Sequence, residues 1–211
     1  MYKARYIENV VLKTHKTFKI LYLGGPRQVG KTTLLLNLAK KMKMNYVTFD
    51  DLDLRKLAKE DPVLFFQRYP APLLIDEVQY VPEIFPVLKK IVDKSPKNGQ
   101  YWLTGSQQFS IMKNVQESLA GRVGILYLLG FSWAEERSIE KLKHPFSSES
   151  LESKDYDGIS FRSVFQKIWR GSFPVLTQRN APDPEIFYNS YLQTYLDRDL
   201  RDIFGVAKIS T

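Results

Sequence analysis

A glycine-rich stretch between an apolar run and a helix-forming run constrains this 211-residue chain more than any other feature. The stretch reads GPRQVGKTT, and Gly25, Gly30, Lys31 and Thr32 fit the pattern G-x-x-x-x-G-K-[ST]. Ordering a glycine costs more backbone entropy than ordering another residue, so glycines at this spacing need a reason. In this pattern they let successive backbone N–H groups wrap a phosphate, and the next helix points its positive end at the anion. The spacing therefore predicts a nucleotide-binding loop.

The residues of this loop have distinct expected roles. Lys31 reaches the β- and γ-phosphates and assists catalysis, and the Thr32 hydroxyl ligates Mg²⁺. A predicted strand at 18–23 and a predicted helix at 33–42 flank the loop, as the motif requires. ATP and Mg²⁺ are therefore the predicted ligands. The residues predicted to bind the nucleotide are Gly25, Pro26, Arg27, Gln28, Val29, Gly30, Lys31, Thr32 and Thr33.

A second motif supplies carboxylates. The apolar run LLI ends in Asp76 and Glu77, and ligands of open α/β sheets bind at the carboxyl ends of strands. We expect Asp76 to hold Mg²⁺, through water, and Glu77 to orient or deprotonate the attacking water. Two adjacent acids are more often a solvated strand end, but the apolar strand and the preceding phosphate loop favour the functional interpretation. An acid directly after the magnesium aspartate indicates hydrolysis.

Alternating apolar and helix-forming segments predict an α/β fold. Strands are expected at 18–23, 45–49, 72–78, 100–104 and 122–129. Helices are expected between them at 33–42, 52–69 with a break at Asp61-Pro62, 82–94 and 109–120. Five strands joined by helical crossovers predict a parallel sheet covered by helices on both faces, which is a three-layer sandwich over residues 1–130.

The chain changes character after residue 130. Residues 144–158 are polar and rich in serine, which predicts a mobile loop. Helices are expected at 161–170 and 184–204, so residues 131–211 are predicted to form a small helical part. Because the chain stops soon after the last helix, we expect this part to lead into a further domain. The turn Gly171–Pro174 is expected to be structural.

Composition excludes several classes of protein. The 44% of hydrophobic residues is typical of a globular chain. The sequence has no run of about 18 apolar residues, so no membrane span is expected. The absence of cysteine excludes disulfides and thiolate zinc sites and fits the cytoplasm. His15 and His144 lack metal-ligand spacing, and each is expected at the surface. The net charge of +8 leaves nucleic-acid binding open, although helix-terminal lysines and a nucleotide site explain much of it.

Five segments taken in order resemble a known group of proteins. GPRQVGKTT, LLIDEVQ, LTGSQ, LAGRV and YLDRDL resemble the prokaryotic AAA+-type P-loop ATPases whose ATPase module precedes a poorly characterised C-terminal domain. The resemblance covers most of the chain. It implies the strand order 5-1-4-3-2, in which the strand from Gln100 lies between the phosphate-loop strand and the Asp76 strand. It also implies that the C-terminal domain lies outside this chain.

The resemblance implies further site residues. Ser106 follows the fourth strand at the sensor 1 location, where a short hydroxyl can report on the γ-phosphate; a simple glycine-serine turn explains it nearly as well. Arg122 precedes the fifth strand, where such ATPases place an arginine finger that acts on the nucleotide of a neighbour in a homo-oligomer; a surface arginine is the alternative. The sequence does not choose among the sensor 2 candidates, which are Arg170, Arg198 and Arg201.

We interpret the chain as an Mg-dependent ATPase module that couples turnover to a conformational change in a partner or a missing domain. Two alternatives stay open. A P-loop small-molecule kinase would need an acceptor pocket and an arginine-rich lid. A nucleotide-gated nucleic-acid-binding protein would turn ATP over very slowly. Phosphate release from ATP without an acceptor separates the first interpretation from both.

Overall fold

One parallel sheet of five strands organises the molecule. A computed structural model describes residues 2–106, 115, 118–138 and 160–195. The strand order is β2-β3-β4-β1-β5, which is the predicted order 5-1-4-3-2 read from the other edge. The predicted α/β sandwich is therefore confirmed, with strand ends that differ by a few residues from those expected. The strands are β1 Ile20–Gly24, β2 Asn45–Thr48, β3 Leu73–Asp76, β4 Tyr101–Thr104 and β5 Val123–Tyr127.

Helices cover both faces of this sheet. The break expected at Asp61-Pro62 is present, because the proline opens a new helix there and the Asp61 carboxylate accepts a hydrogen bond from Leu64 N at 2.9 Å. Short 3₁₀ turns cover Val78–Tyr80 and Pro174–Thr177. The helices are α1 Glu8–Thr17, α2 Lys31–Lys41, α3 Leu52–Glu60, α4 Pro62–Arg68, α5 Ile84–Lys94, α6 Trp133–Glu136, α7 Phe161–Arg170 and α8 Pro184–Tyr195.

Helix α1 was not predicted from the sequence. Val11 is its one buried side chain, so the helix has little apolar periodicity to reveal it. Tertiary packing stabilises α1 instead. Val11 belongs to the same apolar cluster as Leu21 and Leu23 of β1.

Strand β1, which lies between β4 and β5, is buried on both faces, which fixes the position of the loop that follows it. Ile20 and Tyr22 belong to one apolar cluster and Leu21 and Leu23 to the other, as the alternation of side chains along a strand requires. Every residue of β1 is buried. The phosphate loop therefore begins from a strand that is buried along its whole length.

His15 differs from its expected surface position. Its Nδ1 accepts a hydrogen bond at 3.2 Å from the indole Nε1 of Trp102, and the two rings meet edge to face. Burial, helped by the charge of Lys16, lowers the pKa of the imidazole. The histidine is therefore a half-buried packing partner of β4. This contact could not be predicted from a local pattern, because His15 and Trp102 lie far apart in the chain.

Several predictions lie wholly or mainly outside the described residues. These are the helix at 109–120, the loop at 144–158, the helix beyond residue 195, and the sensor 2 candidates Arg198 and Arg201. The division at residue 130 also stays a prediction. Within the described ranges, no helix is both long enough and apolar enough to cross a membrane.

Candidate functional site

The phosphate loop has a backbone that glycine makes possible. Gly25 has φ of +143°, and a side-chain carbon there would collide with the carbonyl oxygen of Leu128. Gly30 has φ of +92°, and a side-chain carbon there would have no other heavy atom within 4 Å apart from its chain neighbours. Helix α2 begins directly after Gly30, so its unpaired N–H groups face the loop. The two motif glycines thus have different duties: one permits close packing and the other keeps space clear.

Lys31 lies inside the loop that the motif predicted. The residue is only 6% exposed, and its Nζ donates to the carbonyl oxygens of Gly25 at 2.9 Å and Pro26 at 2.8 Å. These carbonyls hold the ammonium group where this class of loop places a cation against the β- and γ-phosphates.

Asp76 is the centre of a hydroxyl cluster. The Thr32 hydroxyl donates to the buried carboxylate, with distances of 2.9 and 3.1 Å to its two oxygens. The Tyr46 hydroxyl donates at 3.3 Å, and the Thr104 hydroxyl also donates. Burial and the neighbouring Asp76 raise the pKa of Tyr46 to about 12, so this phenol keeps its proton. The structure thus brings together Thr32 and Asp76, which the sequence proposed as metal ligands.

Thr104 and Tyr46 were missed from the sequence. They lie on β4 and β2, the two strands that flank β3. A usable signal existed for Thr104, since it ends the strand that the family resemblance placed beside the Asp76 strand. Tyr46 lies within a short strand, and only the register of β2 against β3 reveals its contact.

The donor set around Asp76 fits magnesium. Mg²⁺ prefers oxygen ligands and is usually bound by one or two carboxylates together with substrate phosphates and water. The Asp76 carboxylate and the Thr32 hydroxyl, 2.9 Å apart, are the oxygen groups that would hold such an ion. No group of three or more His, Cys, Asp or Glu side chains able to hold a metal occurs among residues that the structure describes.

Glu77 adopts a left-handed backbone conformation with φ of 57° and ψ of 45°. This conformation is costly for a residue other than glycine and is concentrated at functional sites. The Glu77 carboxylate accepts a hydrogen bond from the side-chain amide of Gln79. In the described residues, the Gln79 amide oxygen and the Tyr22 hydroxyl are buried without a partner. Burial is the main cause of the raised pKa of Tyr22, and Glu77 adds to it.

Ser106 and Arg122 lie at opposite ends of the strands, Ser106 at the carboxyl ends and Arg122 at the amino ends. Ser106 follows β4 at the carboxyl edge, where its buried hydroxyl has no partner among the described residues. Arg122 precedes β5 at the amino edge, because Val123 pairs with Ile20 at the start of β1. The Arg122 guanidinium binds both carboxylate oxygens of Asp93, with Nη2 at 3.0 Å from Oδ2, and this hydrogen bonding lowers the pKa of Asp93. Arg122 is thus separated from the phosphate loop of its own chain.

A cavity of about 630 Å³ adjoins the phosphate loop. It is bounded by the N-terminal segment, by the loop and the start of α2, and by chain that follows β5. Its lining residues are Tyr2, Lys3, Arg5, Val29, Gly30, Thr33, Phe131, Pro174, Thr177, Gln178 and Arg179. The volume lies within the range of small-molecule sites.

Arg170, the described sensor 2 candidate, lies elsewhere. Its guanidinium and the Lys167 ammonium both bind the Glu136 carboxylate. Arg170 lines a different cavity of about 410 Å³, together with Trp133 and Trp169. Arg179, which the sequence analysis did not consider, lines the cavity beside the loop.

The chain is similar to known proteins in sequence and in fold. The chain is 30% identical over 189 residues to an uncharacterized protein of Mycobacterium tuberculosis and to another of Mycobacterium bovis, which covers 87% of this chain and 36% of each relative. The chain thus spans little more than a third of the length of these relatives. The solved Walker-type ATPase PABY2304 of Pyrococcus abyssi has a TM-score of 0.55 at 16% identity, covering 96% of this chain and 75% of that one. At this identity the likeness shows the fold alone.

A family model described as an AAA domain matches residues 17–136. The match spans more than half of the chain and includes the phosphate loop, the Asp76-Glu77 pair, Ser106 and Arg122. The chain belongs to the AAA domain family and is a P-loop ATPase module of the AAA+ type.

Proposed function

We propose that this module binds ATP with Mg²⁺ and hydrolyses it to ADP and phosphate. The contact between the phosphate loop and the end of β3 is the main support. The Thr32 hydroxyl lies 2.9 Å from Asp76, and Glu77 is the next residue in the chain. The phosphate-binding loop, the proposed metal-binding pair and an acid able to accept a proton from water are therefore adjacent.

The nucleotide is proposed to lie along the loop, with its base and ribose in the adjoining cavity. The phosphates contact backbone N–H groups of 27–33, and the buried Lys31 ammonium balances their charge. The cavity begins at Val29, Gly30 and Thr33, so it is continuous with the place where the phosphates bind. Its aromatic side chains, Tyr2 and Phe131, suit a flat base.

In the proposed reaction, water attacks the γ-phosphorus, the bond to the β–γ bridging oxygen breaks, and ADP leaves. Glu77 accepts the proton of that water, and Gln79 orients its carboxylate. Thr32 and Asp76 would hold Mg²⁺, which supplies positive charge to the phosphate oxygens. The Ser106 hydroxyl is proposed to contact the γ-phosphate, since it is buried at this edge and has no partner within the described ranges.

Two substitutions test the proposal by separating binding from turnover. Lys31→Ala should lose the thermal stabilisation by MgATP, because it removes the buried cation of the loop. Glu77→Gln should keep that stabilisation and lose roughly 10²- to 10⁴-fold in turnover, because an amide cannot take the proton. Thermal shift and phosphate release without any acceptor measure the two effects.

Lys40→Ala and Glu83→Gln are matched controls, since both side chains are exposed and lie outside the site. Each should behave as the parental protein. Parental protein that releases no phosphate without an acceptor would contradict hydrolysis and favour the kinase or the slow nucleotide-gated binder. Parental turnover by Glu77→Gln would remove this acid from the mechanism.

We also propose that turnover drives a conformational change in a partner or in a further domain, to which residues 131–211 lead, and that Arg122 acts on a neighbour's nucleotide. Arg122 lies at the sheet edge away from its own loop and is partly exposed, so it is accessible to another subunit. Its pair with Asp93 would have to open. An arginine finger is worth roughly 10³- to 10⁵-fold in rate.

The test of Arg122 mixes two variants of the full-length protein. Arg122→Ala and Glu77→Gln should each be inactive alone and regain activity together, because a mixed interface can join an intact Glu77 to an intact Arg122. If mixed oligomers are verified by size and no activity returns, action on a neighbour is ruled out. Full activity of Arg122→Ala alone would make this residue ordinary surface charge.

A further inference from the structure

Arg5 is a buried cation that joins three separate parts of the chain. The residue is 7% exposed, and its guanidinium lies 4.5 Å from the ring centre of Phe131. Arginine is almost never buried unless it is paired. The guanidinium donates to Val29 O at 3.1 Å, Leu129 O at 2.8 Å, Gly130 O at 3.0 Å and Glu135 Oε1 at 3.2 Å.

The bond to Val29 acts on the phosphate loop itself. The Val29 carbonyl and the Gly30 N–H belong to the same planar peptide unit, in which they point in opposite directions. Fixing the carbonyl on Arg5 Nη1 therefore fixes the direction of the Gly30 N–H. Gly30 precedes α2 and contributes one of the donors that wrap a phosphate in this type of loop. Glycine at this position would otherwise let the peptide unit turn freely.

The other bonds of Arg5 reach the chain that leaves the sheet. Leu129 and Gly130 follow β5, and Glu135 lies in the short helix α6. Glu135 also accepts from Tyr6 N at 2.7 Å and from Ser132 N at 2.9 Å, so the same carboxylate fixes the N-terminal segment and the start of α6. The adjacent Glu136 then binds Lys167 and Arg170 of α7. Polar contacts, together with the peptide bond between Glu135 and Glu136, thus connect Val29 to α7.

The electrostatics keep this connection charged. Burial alone would raise the pKa of the Glu135 carboxyl, but the N–H groups of Ser132 and Tyr6 and the charge of Arg5 outweigh it and lower the pKa. The pair is thus ionic at neutral pH. A buried ion pair is not by itself evidence of a stabilising role, because desolvation offsets much of its attraction. The Arg5 guanidinium is a rigid, planar group that donates to four acceptors on three segments of the chain. This arrangement is better explained by a need for defined geometry.

We propose that Arg5 is a positioning residue that directs the Gly30 N–H into the phosphate loop and couples this orientation to the position of residues 129–138. Occupation of the loop and the position of α6 and α7 then depend on each other, and this dependence acts in both directions. The identity of the ligand as a nucleotide rests on the proposed function. The connection between the loop and α6 does not.

The test compares Arg5→Lys with Arg55→Lys. A lysine keeps the positive charge of residue 5 but cannot reach four acceptors with a rigid fork. Arg55 is a matched control, since its Nε donates to Phe49 O at 2.6 Å and its guanidinium lies 3.9 Å from the ring centre of Tyr80. Arg55→Lys therefore loses the same kinds of contact at a place remote from residues 129–138.

The first measurement is amide hydrogen exchange without nucleotide. Arg5→Lys should raise exchange in 25–33 and in 129–138 together, by roughly tenfold, which corresponds to the loss of a charged hydrogen bond. Arg55→Lys should leave both segments unchanged. If Arg5→Lys leaves both segments at parental rates, or changes 129–138 alone, the proposal is overturned. This arm is informative even if the chain binds no nucleotide.

The second measurement repeats the exchange with MgADP and adds steady-state kinetics. In the parental protein and Arg55→Lys, MgADP should slow exchange in 161–171, and this response should disappear in Arg5→Lys. The KM for ATP should rise roughly tenfold with a smaller change in kcat, because a fixed N–H serves substrate and transition state alike. An unchanged KM with a persisting response in 161–171 would contradict the proposal.

A second variant keeps the test decisive if Arg5→Lys does not fold. Glu135→Gln preserves the size of the side chain and one carbonyl acceptor but removes the charge that holds Arg5. It should raise exchange in 25–33 and 129–138 in the same way, to a smaller extent. Exchange at parental rates in both segments would again overturn the proposal.

Discussion

The sheet with its helices and the helical part after β5 are stabilised in different ways. The sheet has a fully buried apolar cluster on each face, with Trp102 and Phe65 among its largest side chains. The helical part is residues 129–138 and 160–195, and within these ranges only Glu135 and Leu176 are buried. Helix α7 leaves Phe161, Phe165, Ile168 and Trp169 between 65% and 84% exposed.

Charges and aromatic rings hold the helical part together. Glu136 binds Lys167 and Arg170, and Phe173 contacts the rings of Phe187, Tyr188 and Tyr191 at centroid distances of 4.9 to 5.9 Å. Apolar burial is non-directional and strong in sum, whereas partly exposed ion pairs contribute little and depend on pH. The nucleotide loop therefore follows a fully buried strand, while the part that faces its cavity is easier to displace.

The largest expected difference comes from matched tryptophan truncations. Trp102→Ala should lower the free energy of unfolding by about 3 to 5 kcal/mol, because it leaves a cavity in β4 and removes the partner of His15. Trp169→Ala should change it by no more than about 0.5 kcal/mol, because that ring is 71% exposed. Urea unfolding followed by far-UV circular dichroism measures both. Equal losses would show that the two parts are packed alike.

A glycine pair tests the same contrast through the backbone. Gly25→Ala should cost about 3 kcal/mol, because the new methyl group meets the backbone oxygen of Leu128, directly after β5, and φ is +143°. Gly171→Ala should cost about 1 to 2 kcal/mol, because φ is +74° but the methyl group meets the end of the Tyr188 side chain, which can move, rather than backbone. Thermal unfolding of both variants checks the order. A larger loss for Gly171→Ala would contradict it.

The smallest effect concerns the acid side of the pH range. Burial would raise the pKa of Glu136, but Lys167 and Arg170 lower it below its ordinary value of 4.5. The stabilisation is therefore complete above pH 4.5 and is lost as the pH falls through the lower value of the folded state. Glu136→Gln should lose about 1 kcal/mol at pH 7 and show a shallower decline of stability below pH 4.5.

Urea unfolding at pH 7 and in acid measures this effect. The fluorescence of Trp133 and Trp169 reports the helical part, and in a Trp102→Phe background it reports nothing else, because the chain has three tryptophans. A residual acid slope is expected from Glu135, whose pKa is lowered as well. An unchanged slope in Glu136→Gln would show that the Glu136 pairs do not hold α7.

Local patterns made the core predictable. The strands, the phosphate loop and the break at Asp61-Pro62 follow from residues close together in the chain, where steric limits on glycine and proline act directly. The contact between Thr32 and Asp76 was also predictable, because two motifs specify which strand ends must meet. Helix α1 was not predicted, because its one buried side chain leaves no periodic apolar pattern in the sequence.

The sequence by itself determined a phosphate loop, an acid pair after an apolar strand and a parallel α/β sheet, because each depends on spacing within a short segment. Only the tertiary structure decided which hydroxyls join Asp76, that His15 packs on Trp102, and that Arg122 lies at the edge opposite its own loop. It also decided that Arg5 holds Val29. These contacts join residues far apart in the chain, and strand order and packing fix them rather than any local preference.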